Sequence, residues 1–293
     1  MRLGKTKKRR SDQRLILERR MVGLVQSLVL DRSVCNGCRD CQWICPREAI
    51  SSSEPVLRSG GLTEPIVLDV DEEACHFCGQ CAAICPMKAF TWRENEEETP
   101  TLQRRGILPA LREEIQVEVT KCRPDCLLVC ERSCPVQAIK VLTRSEEDGS
   151  GTRIEGVEVD RKRCFYCHKC EDACPYRAIS VRQAREGMVL FQPTQCPEGC
   201  HACADVCPST ALYREDGVVQ LNDRFCIYCR ACQQVCPAEA ALEIRRERVL
   251  HHPVRSHLWV EMLEKLISRN AKLRSMEEVA RRKHARAYRT RID

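Results

Sequence analysis

The sequence predicts an α+β chain: three tandem copies of one small module, each made of short strands and short helices around cysteine-rich loops, with a basic arm before them and a basic helical tail after. Three observations carry this. The 293 residues include 24 cysteines, and all of them fall into six runs of four. A short apolar or alternating stretch precedes every run, and another follows five of them. Charge is unevenly placed: residues 1–20 hold nine Lys/Arg against two Asp/Glu and residues 244–293 hold fourteen against six, so the middle is acidic although the whole carries +6.

The six runs are CNGCRDCQWICPREAI from Cys35, CHFCGQCAAICPMKAF from Cys75, CRPDCLLVCERSCPVQAI from Cys122, CFYCHKCEDACPYRAI from Cys164, CPEGCHACADVCPSTAL from Cys196 and CIYCRACQQVCPAEAA from Cys226. The first, second, fourth and sixth have the spacing C-x2-C-x2-C-x3-C-P, the run that binds 4Fe-4S clusters in bacterial ferredoxins. Three close cysteines on a tight loop suit three irons of a cube, while a short helix carries the fourth away towards a second cube. The proline then fixes the chain direction and removes an N–H donor.

Two runs depart from this spacing. In the third, C-x3-C-x3-C-x3-C-P, the added residues fall inside the loop, where Arg123-Pro124-Asp125 is turn chemistry that absorbs an insertion. The alternative, a cysteine stripe along a helix, meets Pro124 in its first turn. In the fifth, Cys196, Cys200 and Cys203 have the spacing of radical S-adenosylmethionine enzymes, but Cys207-Pro208 completes a ferredoxin run and too little chain follows to build the barrel of such an enzyme. Four-cysteine zinc sites combine two separated C-x2-C knuckles, which six runs ending in Cys-Pro do not resemble. His76, His168 and His201 are loop residues or donors to the sulfurs, since every run has four thiols of its own.

The preceding stretches are SLVLD, IVLDV, VEVT, VEVD, MVLF and VVQL; AIKVL and AISV are examples of those that follow, and Ser51 to Ser53 cut the first short. Strand, cysteine loop, short helix, strand, given twice, is a bacterial-type two-cluster ferredoxin module of βαββαβ form. Sequential pairing places a basic N-terminal arm at 1–26, module one at 27–92, a polar linker at 93–115, module two at 116–183, module three at 184–246 and a helical basic tail at 247–293. Residues 51–61 and 143–156 read as hairpin-tip insertions, and the brief link at 182–187 predicts close contact between modules two and three. In the tail, Leu258, Met262, Leu263, Leu266 and Ile267 recur at helical spacing, with Trp259 near the start; the helix packs on module three or lies on another subunit.

The likeness to two-cluster ferredoxins implies that the fourth cysteine of each run ligates the partner run's cluster. Carried onto this sequence, that gives six 4Fe-4S clusters: Cys35, Cys38, Cys41 with Cys85; Cys75, Cys78, Cys81 with Cys45; Cys122, Cys126, Cys130 with Cys174; Cys164, Cys167, Cys170 with Cys134; Cys196, Cys200, Cys203 with Cys236; and Cys226, Cys229, Cys232 with Cys207. At about −2 for each cluster with its thiolates, the loaded chain moves from +6 to about −6.

So many cysteines outside a secreted disulfide scaffold point to metal in a reducing, cytoplasmic setting. A twin arginine at Arg9 and Arg10 is followed by an apolar run that Glu18, Arg19 and Arg20 interrupt, with no small-residue cleavage site, which disfavours export. No stretch has the roughly 18–20 apolar residues of a membrane span. No dinucleotide or phosphate loop, H-E-x-x-H or serine triad is present, so the expectation is a non-enzymatic electron wire with its clusters in a close-spaced line. The basic runs at 7–10 and 281–291 lack aromatic platforms for nucleic acid.

The chain resembles archaeal polyferredoxins, and among them the polyferredoxin subunit of tungsten- or molybdenum-dependent formylmethanofuran dehydrogenase. CPEGCHACADVCPSTALY, FCIYCRACQQVCP and the tail HHPVRSHLWVEMLEKL carry the likeness, which covers most of the chain from Cys35 to about Leu266. It implies a cytoplasmic anaerobic complex of methanogenesis in which this subunit brings low-potential electrons to a pterin-bound metal that reduces carbon dioxide. Compared family versions carry more modules, so the relative of a hydrogenase or heterodisulfide reductase complex, or a free soluble carrier, are the alternatives.

Overall fold

The computed structural model describes residues 4–145, 152–238 and 240–268, together with Glu277 and Arg281. The hairpin tip at 146–151 and the basic run at 281–291, apart from Arg281, lie outside the described residues. The chain opens with β1 (Thr6–Arg10), β2 (Arg14–Met21) and β3 (Leu24–Asp31), antiparallel in sequence order. Then come α1 (Asp40–Ile44), β4 (Ile50–Ser52), the small hairpin of β5 (Val56–Arg58) and β6 (Gly61–Glu64), β7 (Leu68–Val70), α2 (Gln80–Ile84) and β8 (Phe90–Glu94). A one-turn helix, α3 (Thr101–Arg104), interrupts the polar linker.

The second repeat holds β9 (Glu114–Val117), α4 (Val129–Arg132), β10 (Ile139–Ser145), β11 (Thr152–Val159), α5 (Lys169–Ala173) and β12 (Ile179–Arg182). The third holds β13 (Arg185–Phe191), α6 (Ala202–Asp205), β14 (Leu212–Glu215), β15 (Val218–Leu221), α7 (Ala231–Val235) and β16 (Leu242–Val249), and α8 (His257–Ile267) follows. One pairing rule holds three times. The first strand pairs with the last and the two inner strands pair with each other: β3 with β8 and β4 with β7, β9 with β12 and β10 with β11, β13 with β16 and β14 with β15. In each repeat the two short helices face one another.

Both ends differ from the arm and tail that composition predicts. Instead of a separate arm, residues 6–21 extend the first module's sheet to the order β1-β2-β3-β8. Alternation in RLILERRM places Leu15 and Leu17 inside, fully buried beside Leu28, Leu30 and Trp92, while Arg14 and Arg20 on the other face stay exposed. The basic KKRR segment is spent within the molecule: Lys8 Nζ lies 3.0 Å from Asp69 Oδ2 and 3.3 Å from Glu72, and Arg10 lies 2.8 Å from Asp69. At the other end, residues 247–249 finish β16. The apolar face of α8 covers both outer modules: Trp259, Met262 and Leu266 bury against Ile44 and Ile84, from the two helices of module one, and Val249 of β16. Ser256 caps α8 by accepting the Trp259 N–H at 3.3 Å. Ser256→Ala is expected to cost about 1 kcal/mol, read as a small fall in melting temperature with unchanged iron content.

The three modules do not form a line, because each touches both others. The β5–β6 hairpin of module one reaches module three, where the His201 N–H donates to Gly60 O at 2.7 Å and the Leu62 N–H to Asp205 Oδ2 at 2.8 Å. Gly60 sits at φ +80°, and a Cβ there would stand 2.2 Å from Gly199 O. Lys88 of module one donates to Arg161 O at 2.7 Å and lies over the Tyr166 ring of module two. Modules two and three meet through Arg224 and Asp172, 2.5 Å apart, and through Lys169 and Thr210.

Candidate metal centres

The third run is not one helix. A tight turn at Pro124–Cys126 is followed by Leu127 and Leu128, both left-handed at φ 53° and 54°, before α4 begins. The insertion is anchored from the neighbouring run, for Tyr176 donates its hydroxyl to Asp125 Oδ2 at 2.6 Å and carries Arg123 over its ring.

The thiols gather in fours. One hollow is lined by Cys35, Cys38, Cys41 and Cys85, a second by Cys75, Cys78, Cys81 and Cys45 (with Cys41 at its edge), a third by Cys122, Cys126, Cys130 and Cys174, and a fourth by Cys226, Cys229, Cys232 and Cys207. The two remaining sets are seen in the pressure their thiols exert on one another. Burial first, then Cys167, Cys164 and Cys134, push Cys170 up to about 12, and burial followed by Cys236, Cys196 and Cys200 pushes Cys203 up to about 12. In every set three members come from one run and the fourth from the run facing it across the helix pair.

The backbone prepares these sites for negative charge. In the four regular runs the residue two places after the first cysteine is left-handed (Gly37, Phe77, Tyr166, Tyr228), and so is the residue after the second cysteine (Arg39, Gly79, His168, Arg230). Each turn aims an amide N–H back at the preceding thiol: Gly37 at Cys35, Asp40 at Cys38, Phe77 at Cys75, Gln80 at Cys78, Tyr166 at Cys164, Lys169 at Cys167, Tyr228 at Cys226 and Ala231 at Cys229. A third left-handed residue recurs three places after the fourth cysteine, at Glu48, Lys88, Gln137, Arg177 and Thr210. In the first four runs it turns the next amide, of Ala49, Ala89, Ala138 or Ala178, onto the fourth sulfur at 3.2–3.4 Å. Left-handed conformations cost non-glycine residues about 1–3 kcal/mol each, so their repetition marks a concavity built for an anion. Only Gly37 and Gly79 hinted at it in the sequence. His168 caps α5 and meets Glu171 at 2.7 Å, and His201 meets Gly199 O, so both are spent on their own loops.

This donor set fits a cubane cluster. Among the described residues no three His, Cys, Asp or Glu side chains converge closely enough to hold a single ion; the thiols ring wider hollows, as four corner irons require, and amide donors supply what sulfur ligands need. Burial raises the metal-free thiols, Cys35 and Cys75 to about 11 and Cys226 to about 12, so iron binding has to displace protons.

The family model for the 4Fe-4S dicluster domain matches residues 34–89, 120–178 and 163–211, more than half of the chain, and a second model of the same description matches 188–237. The chain belongs to the 4Fe-4S dicluster family. The match at 163–211 joins the fourth and fifth runs, which strand pairing assigns to different modules; because both halves of a dicluster unit share one plan, the pattern also fits when displaced by half a module. A chain of the formate dehydrogenase–heterodisulfide reductase–formylmethanofuran dehydrogenase complex from Methanospirillum hungatei is similar at 27% identity and a TM-score of 0.75, over 92% of this chain and 93% of that one. NADH-quinone oxidoreductase subunit I 2 of Geobacter metallireducens is 29% identical over 87 residues, 30% of this chain and 62% of its own length. The dicluster chain therefore spans less than two thirds of that relative. No helix among the described residues is long and apolar enough to cross a membrane.

Proposed function

We propose that this chain is a non-catalytic electron-transfer subunit with six 4Fe-4S clusters, ligated by the six four-thiol sets described above, and that it works inside a large oxidoreductase complex. The reading that fits best is delivery of low-potential electrons to a carbon dioxide-reducing centre of the formylmethanofuran dehydrogenase kind. The observation that carries it is the set of hollows closed by four thiols of this chain, supported by a likeness along nearly the whole length to a chain of a complex that contains such an enzyme. Each cluster, when bound, takes up and releases one electron.

The residues do the rest. Four thiols to each set leave no corner for substrate, left-handed turns point amide donors at the sulfurs, and swapped fourth cysteines lock the halves of a module together. Pairwise contact of the modules gives electrons more than one route. Gentle anaerobic purification tests the proposal: about 24 iron atoms per chain are expected, in a much larger assembly that contains a pterin-bound tungsten or molybdenum. About 18 or fewer would overturn the six-cluster assignment, and a chain that emerges alone and fully loaded would overturn membership of a complex.

A further inference from the structure

Modules one and three meet where two thiol sets come together. Asn36, between Cys35 and Cys38, aims its amide Nδ2 at Sγ of Cys229 in the other module, 3.3 Å away. The sulfurs of Cys45, Cys85, Cys134, Cys174, Cys207 and Cys226 accept from backbone amides of their own runs, whereas the Asn36 amide reaches Cys229 from another module. The far side of the Asn36 amide gains nothing from this arrangement, for its Oδ1 is buried without a partner. An orphaned buried acceptor costs about 1–3 kcal/mol. The reverse rotation would turn that carbonyl against a sulfur that is negative once it holds iron, so the donor face is the one that suits a ligating thiolate.

The contact is held rigidly. Arg246, fully buried, lies 2.7 Å from Asp40 of α1 and donates to Cys229 O at 3.0 Å and Tyr228 O at 2.6 Å, clamping the loop of Cys229 against the loop of Asn36. Module one's Cys38 is crowded by burial, then by Asp40, Cys85 and Cys229, so the two sets adjoin.

We propose that Asn36 is a positioning residue for electron transfer between modules: its amide N–H, given across the interface to Cys229, raises the potential of the cluster held by Cys226, Cys229, Cys232 and Cys207 and so draws electrons from the Cys35 set directly, without passage through module two. This rests on the six-cluster assignment. A hydrogen bond to sulfur stabilises the more negative, reduced state. Passage of one electron between the sets oxidises the first by one electron and reduces the second by one, with no bond or proton changing hands.

Anaerobic redox titration of the iron-loaded full-length chain, followed by electron paramagnetic resonance, tests it. With Asn36→Leu, one of the six titrating components is expected to become about tenfold harder to reduce, about 59 mV for one electron, while the others stay. Asn36→Asp keeps the shape but sets a charged acceptor against the sulfur, and should move the same component further. Wild-type iron well below about 24 per chain would sink the six-cluster assignment independently of Asn36. With iron complete, the inference falls if neither variant moves a component, or if all components move together. If Asn36→Leu loses iron, the isosteric Asn36→Asp decides alone.

Discussion

Chelating the iron from the reduced chain under anaerobic conditions is expected to unfold all three modules, with loss of most ordered circular dichroism and a large gain in protease sensitivity. The helices that carry the ligands are only four or five residues long. Isolated helices shorter than about 12–15 residues are marginal in water, and a lone pair of strands is no better. Where a domain of this size would hold apolar side chains, each module holds hollows ringed by thiols, which bring little packing once the cluster is gone. Without iron the swapped fourth cysteines also cease to tie one half of a module to the other. Most resistant should be the corner where β1, β2, β3 and β8 bury Leu15, Leu17, Leu28 and Trp92, apolar packing that rests on strand pairing and not on the ligand-bearing helices. An iron-free chain with its spectrum and protease resistance intact would refute the view that clusters supply the interior.

Arg246→Ala is expected to destabilise the loaded chain by about 3–5 kcal/mol, enough to release module three from module one. The side chains of Arg246 and Asp40 are 0% and 2% exposed and 2.7 Å apart. Burial works against the charge of Arg246, and Asp40 more than restores it, leaving its pKa above the ordinary range. Loss of the guanidinium strands a buried carboxylate and frees Cys229 O, Tyr228 O and Leu266 O of their donor. Replacing both partners with apolar residues, as in Asp40→Leu with Arg246→Met, should be far milder than the single change, since a buried pair is strongly destabilised by losing one member and not by losing both. Melting curves at full iron occupancy, arranged as a double-mutant cycle, measure this. Effects of Asp40→Leu and Arg246→Met that simply add in the double variant would show that the pair is not coupled.

Much of the site could be read along the chain. Cysteine spacing is local chemistry, because three thiols for one cube come from a single loop and Cys-Pro marks where the fourth leaves. The strands around each run were legible for a similar reason, since MVLF and VVQL are short apolar stretches set off by Gly on one side and Gln or Asn on the other; in VEVT the strand ends already at Val117, as the chain turns towards Cys122. The basic composition hides the buried face of the arm: in β2 Leu15 and Leu17 lie on one face and the exposed Arg14 and Arg20 on the other, a period of two that a total charge does not register.

The sequence by itself determined that 24 thiols come in six runs, that the runs are of the kind that binds 4Fe-4S clusters, and that α8 has an apolar face. Only the tertiary structure decided what that face covers, that the modules pack around one another rather than in a line, and that Arg246 and Asn36 meet Asp40 and Cys229. The physical reason is range. Ligand spacing and strand period act over a few residues and leave a written pattern, whereas burying an ion pair or aiming an amide across an interface joins positions about two hundred residues apart, which no local periodicity records.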